Sequence, residues 1–129
     1  MTTLTFYRTV VDARKDGNLE AAKQATAAVF HALRDRLTAD EADQVFAQLP
    51  LELKTVWEEG EEPERRPLKM HRDEFLERVR REAGVASTEE ARRMTLAVFA
   101  ALKRQLSPGE TGDVFDQLPK DLKEVWAEA

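Results

Sequence analysis

The segment Asp12-Ala13-Arg14-Lys15-Asp16-Gly17-Asn18-Leu19 has the outline of an EF-hand calcium loop. Asp falls at loop positions one and five, Gly at six and an apolar residue at eight. Such a loop also needs oxygen ligands at positions three and twelve, above all a bidentate acid at twelve. Those positions carry Arg14 and Lys23, two cations in place of two ligands. The segment therefore reads as a helix–turn–helix join, with Gly17 ending one helix and Asn18 capping the next. The two histidines, His31 and His71, stand in different elements, and neither has a second ligand at His-x₃-His or Glu-x₂-His spacing. Each reads as a surface or boundary residue. Cysteine is absent, which excludes disulfides and thiolate metal sites. There is no nucleophile elbow, phosphate-cradling glycine loop or dinucleotide fingerprint. No catalytic residue, cofactor or metal site is expected.

Paired acids are frequent: Glu58-Glu59, Glu61-Glu62 and Glu89-Glu90. A catalytic carboxylate needs burial or a like-charged neighbour to move its pKa. These pairs fall at helix starts or in a linker, where solvation and the helix dipole account for them. Arg78, Arg80, Arg81, Arg92 and Arg93 form the one basic concentration, a candidate phosphate or nucleic-acid patch. Glu77, Glu82, Glu89 and Glu90 are interleaved with it, so ion pairing on a solvated face is the favoured reading. The net charge of −5 argues against nucleic acid and anionic membranes as partners. No run approaches the ~18 apolar residues of a membrane span. No signal peptide is visible in Met1-Thr2-Thr3-Leu4-Thr5-Phe6. Absent cysteine fits a cytoplasmic location.

The elements that must position these residues come from a duplication. Shifted by 69 positions, the sequence matches itself: Val29-Phe30 lies over Val98-Phe99, Gln48-Leu49-Pro50 over Gln117-Leu118-Pro119, and Val56-Trp57 over Val125-Trp126. Roughly 22 of about 55 aligned positions are identical with no gap. Residues 1–60 and 71–129 are the two copies. Residues 61–70, charged and carrying two prolines, read as an exposed linker inside what is expected to be one compact body.

Each copy divides into four helical stretches. Leu19, Ala22, Thr26, Val29, Leu33 and Leu37 recur at steps of three and four, which predicts a long helix with one buried face. Thr88, Ala91, Thr95, Val98, Leu102 and Leu106 do the same in the second copy. Ser87 with Glu90, Thr38 with Glu41, and Ser107 with Glu110 predict capping boxes. Pro50 and Pro119 stop the third helix of each copy and open a fourth. No period-two strand signal occurs. The fold class is all-α, two tandem four-helix repeats packed as a helical bundle. Trp57 and Trp126 occupy equivalent places with the same neighbours, so they read as core rather than as pocket lining.

The pattern resembles the bacterial DUF2267 family. The resemblance rests on Phe75-Leu76-Glu77-Arg78-Val79 opening a unit, then Gly84, Glu89-Glu90-Ala91, Thr95-Leu96-Ala97-Val98 and Leu102. Leu106 and the ending Gln117-Leu118-Pro119-Lys120-Asp121-Leu122 complete it. The first copy repeats most of this but departs before its second helix, where its glycine falls two positions out of register with Gly84. The resemblance covers nearly the whole chain. It implies an all-helical fold and a bacterial, cytosolic origin, and it implies no activity.

The copies also differ. Leu4, Tyr7, Val11 and Arg14 form a second stripe on the first helix, where the other copy has Asp73, Leu76, Arg80 and Ala83; likewise Leu51 matches Lys120. Apolar surface beyond one core needs a cover, either the second copy or another chain. The simplest account packs helix one on two sides and helix five on one. Leu4, Tyr7, Val11 and Leu51 are thus the candidate interaction surface, for a protein partner or for self-association. The expected function is a non-enzymatic helical scaffold or protein-interaction module. The rivals are a small-molecule-binding helical protein and an enzyme whose acids converge only in three dimensions.

Overall fold

A computed structural model describes residues 1–15 and 17–129. Asp16, one of the two acids of the calcium-loop outline, lies outside the described residues. Among those described, the chain forms eight α-helices and no strand. They are α1 (Thr3–Arg14), α2 (Leu19–Arg36), α3 (Ala39–Ala47), α4 (Leu51–Glu58), α5 (Arg72–Ala83), α6 (Thr88–Gln105), α7 (Pro108–Gln117) and α8 (Lys120–Glu128). The starts of α5 to α8 each lie 69 residues beyond those of α1 to α4.

The 18-residue helices α2 and α6 carry the densest apolar stripes and sit at the centre. Phe6 of α1, Phe30 of α2 and Trp57 of α4 meet edge to face, with centroids 5.6 and 5.3 Å apart. Phe75, Phe99 and Trp126 form the matching triplet at 5.9 and 4.8 Å. Both tryptophans are buried, as their apolar neighbours predict. Thr26 and Thr95 tolerate full burial because each hydroxyl donates to the carbonyl one turn back, Ala22 or Ala91, at 2.8 Å.

Each short leading helix touches both long helices. Helix α1 lies along α6 as well as α2, and α5 along α2 as well as α6. The expectation that helix five would pack on one side fails. Its second side does face protein, and charged side chains pair across it.

The join after α1 also differs from expectation. The helix ends at Arg14, and Lys15 rather than Gly17 supplies the left-handed cap at φ 62°. Gly84 holds the corresponding place after α5 at φ 70°. Glycine adopts that conformation without the steric cost a Cβ brings. The glycine shift seen in the sequence is thus a real exchange of cap residue. Residues 61–70 are largely exposed yet pinned at three points. Arg65 donates to the Leu37 carbonyl at 2.9 Å, Leu68 N–H donates to Asp35 O at 2.8 Å, and Met70 is buried.

Candidate functional site

Helices α2 and α5 run antiparallel, so residues one turn apart on each meet in pairs. His31 meets Glu82 at 2.6 Å, and Asp35 meets Arg78. Asp35 also accepts from Arg34 Nε at 2.8 Å and Nη2 at 3.2 Å, and Arg65 Nε stands 3.6 Å away. Arg34 is 2% exposed. Its remaining donors reach the Trp57 and Glu59 carbonyls at 2.8 and 2.7 Å, which ties α4 and its exit to α2. Burial disfavours the Asp35 carboxylate, but the bonds and charges of Arg34 and Arg78 outweigh it and hold its pKa below the usual range.

His31 is buried, contrary to the surface or boundary position expected of it. Its Nε2 donates to the Val56 carbonyl at 2.7 Å while Nδ1 faces Glu82. Both partners are acceptors, so only the imidazolium satisfies both with a proton. Burial and the Arg34 charge oppose that form. The hydrogen bonds to Glu82 and Val56, with the charge of Glu82, prevail and raise the His31 pKa above 6.5. A raised folded pKa stabilises the fold fully below the unfolded value, and that stability is lost as pH rises through the folded one. His31→Gln should therefore destabilise most at pH 5.5–6, with the gap to wild type narrowing toward pH 9. Urea melts of both proteins across that range check this, and a gap that widens with pH refutes it.

The corresponding seam between α1 and α6 has none of these pairs. Where α2 carries His31 and Asp35, α6 carries Ala100 and Arg104; where α5 carries Arg78 and Glu82, α1 carries Thr9 and Ala13. Surface hollows open over this seam instead. One cavity of about 430 Å³ is lined by Ala13, Arg14, Arg93, Leu96, Ala97, Ala100, Glu128 and Ala129. An adjoining one of about 490 Å³ adds Thr9, Asp12, Lys103 and Arg104 and shares Ala13, Ala100 and Ala129. The floor is small and apolar, and the rim carries four cations against two side-chain carboxylates.

A third feature lies where α3 meets α7. Thr38 and Ser107 cap these helices, each hydroxyl accepting from the backbone N–H three residues on at 3.2 Å. The return half of the predicted boxes is not made. The Thr38 N–H instead donates to Gln117 Oε1 at 2.9 Å, and the Ser107 N–H to Gln48 Oε1 at 2.8 Å. The two glutamines thus cross between helices and take over the cap amides. Glu41 and Glu110, 8% and 5% exposed, are released from capping and turn toward one another. Asp113 joins them, and one oxygen from each of the three lies within 4.8 Å of the others. Burial, then the hydrogen bond and charge of Glu41, with Asp113 behind, push the Glu110 carboxyl up to about 8. At Ser87 too, the hydroxyl accepts from Glu90 N–H at 3.2 Å, so the hydroxyl half of the predicted box forms there.

The model of the family described as uncharacterized conserved protein (DUF2267) matches residues 4–125. The chain belongs to the DUF2267 family. No curated protein matches it. The all-helical fold expected from that resemblance is the one found, and among the described residues of this DUF2267 chain no helix is long and apolar enough to cross a membrane.

The residues singled out in the sequence are scattered in this DUF2267 fold. Of the apolar stripe, Tyr7 is buried and Val11 half-buried, whereas Leu4 and Leu51 are exposed. Leu4 and Val11 line a separate hollow of about 370 Å³ with Leu19. The arginines do not converge. Arg78 joins Asp35, Arg80 and Arg81 both pair with Glu77, Arg92 with Glu128, and Arg93 with Glu89. His71 sits 3.8 Å from Asp121 on the surface. The sequence reading missed the His31–Asp35–Arg78–Glu82 seam, although all four positions change together between the copies. It also missed the Glu41–Glu110 pair, because each acid had a local role to explain it.

Proposed function

We propose that the chain is a non-enzymatic, protein-interaction module whose docking site is the α1–α6 groove, and that its partner is an acidic amphipathic helix. The observation that carries this reading is the contrast between the two seams. Four charged side chains pair across the α2–α5 seam, and the hollow of about 340 Å³ beside Asp35 and Arg78 is walled by Glu62, Arg65 and Arg66, whereas the hollows over the α1–α6 seam are floored by Ala13, Ala97 and Ala100. Small residues let a helix backbone approach closely, and helix-in-groove recognition uses such apolar troughs. Arg14, Arg93, Lys103 and Arg104 outnumber Asp12 and Glu128 on the rim of a chain whose net charge is −5. That local reversal of sign favours an acidic partner and repels copies of the chain's own acidic surface.

The test uses a labelled 18-residue helical peptide with an Ala/Leu face flanked by glutamates, followed by fluorescence anisotropy. Micromolar binding is expected, weakened at least tenfold in Ala100→Phe, which fills the hollow without entering the core. It should also weaken as salt rises past ~0.15 M, where screening cuts surface electrostatics. Equal binding of a scrambled peptide of the same composition, or equal binding to Ala100→Phe, refutes the reading.

A further inference from the structure

We infer that Glu41, Glu110 and Asp113 form a binding site for one hard divalent cation with calcium's coordination habit, at the junction of α3 and α7. Their side chains come from two helices, and their oxygens lie within 4.8 Å of one another. Two of the three acids are more than nine-tenths buried, and Glu41 Oε2 and Glu110 Oε2 are buried with no donor from the rest of the protein. Two facing buried acids need something positive between them, either a shared proton, as in the Glu41–Glu110 hydrogen bond, or a cation in its place. The fold nevertheless gives up both capping-box return bonds to bring them together, because Gln48 and Gln117 occupy the cap amides that would have held them apart.

An all-carboxylate donor set selects calcium, magnesium or manganese over softer metals. Coordination habit then decides among them. Mg²⁺ demands near-ideal octahedral geometry and usually takes only one or two protein carboxylates, whereas Ca²⁺ accepts several carboxylates in flexible geometry. Three carboxylate oxygens within 4.8 Å of one another suit the second ion. Asp113 is exposed, so water completes the shell from that side. Three protein carboxylates without a full cage correspond to weak binding, with Kd about 10⁻⁴–10⁻³ M. This site is independent of the α1–α6 groove and of the Asp12 loop, where Arg14 and Lys23 stand in place of the ligands at positions three and twelve.

Titration of the full chain with calcium chloride tests the inference. Calorimetry should show one ion per chain, and 10 mM calcium should raise Tm by about 3–6 °C relative to sodium chloride of equal ionic strength. Glu41→Gln and Glu110→Gln should each abolish both effects. The exposed Asp113→Asn, which leaves the buried seam untouched, should weaken binding several-fold, and Asp12→Asn should leave it unchanged. Absence of heat and of a Tm shift in folded wild-type protein overturns the inference. So does calcium binding that survives in both glutamine variants or is lost in Asp12→Asn.

Discussion

Asp35→Ala should destabilise the protein by about 3–5 kcal/mol, because breaking a buried ion pair from one side leaves its partner charged and unpaired. Three guanidinium groups lean on this one carboxylate, and that of Arg34 is almost wholly inaccessible to water. The two carbonyls that also accept from Arg34 remain, which places the expected loss at the lower end of the range. Such a loss is a large share of the ~5–15 kcal/mol that holds a typical domain together. Arg78→Ala should cost less, since its side chain is 26% exposed and Asp35 keeps Arg34. The sign of the pH dependence is fixed by the depressed carboxyl of Asp35. Its contribution is present above the unfolded value near 4 and disappears as pH falls through the folded one. Wild type and Asp35→Ala should differ fully at pH 7 and converge near pH 2. Denaturant melts at the two pH values measure this, and a gap that is the same at both would show that Asp35 acts through packing and not through charge.

Trp57→Ala and Trp126→Ala should each cost about 3–5 kcal/mol, the usual range for emptying a large aromatic site in a core. The expectation is not merely that both are large but that they are similar. Each indole stands edge-on to the phenylalanine of the central helix, at 5.3 Å in one case and 4.8 Å in the other, and each is no more than 2% exposed. Each backbone carbonyl is also held by a cation from that same helix: Arg34 for Trp57 and Lys103 for Trp126, at 2.8 and 2.9 Å. Those bonds involve the main chain and survive truncation of the ring. Urea melts of the two variants should fall within about 1 kcal/mol of each other. A Trp126 variant as stable as wild type beside a crippled Trp57 variant would show that the two sites are not equivalent.

The helices were legible because their signals are local. Apolar residues at steps of three and four, a cap three residues before a glutamate, and a proline after a leucine each act within one or two turns. The tryptophans were legible for a related reason, since a duplicated neighbourhood predicts a duplicated environment. What stayed hidden depends on which helix lies beside which. Glu41 and Glu110 satisfy every local requirement of a capping box, and only the arrival of Gln117 and Gln48 from the other helix displaces them. His31 looks like a lone histidine until α5 brings Glu82 alongside. The clue available was the change at His31, Asp35, Arg78 and Glu82 together against Ala100, Arg104, Thr9 and Ala13. Substitutions that break a repeat in spaced pairs mark a contact between helices more clearly than any single residue does. The apolar stripe on α1 was read as surplus because Phe6 and Val10 already face the core. Tyr7 is nonetheless buried beside them, so only part of that stripe was ever surface.

The crossing of the leading helices has a consequence for how the chain is made. Helix α1 lies against α6, so the first-made of these eight helices completes its surroundings only after residue 105 has left the ribosome. Until then α1 and α2 lack their α6 neighbour, whereas a domain whose neighbours in sequence are neighbours in space closes as it emerges. The docking of α1 on α6 therefore joins segments more than eighty residues apart in one late step.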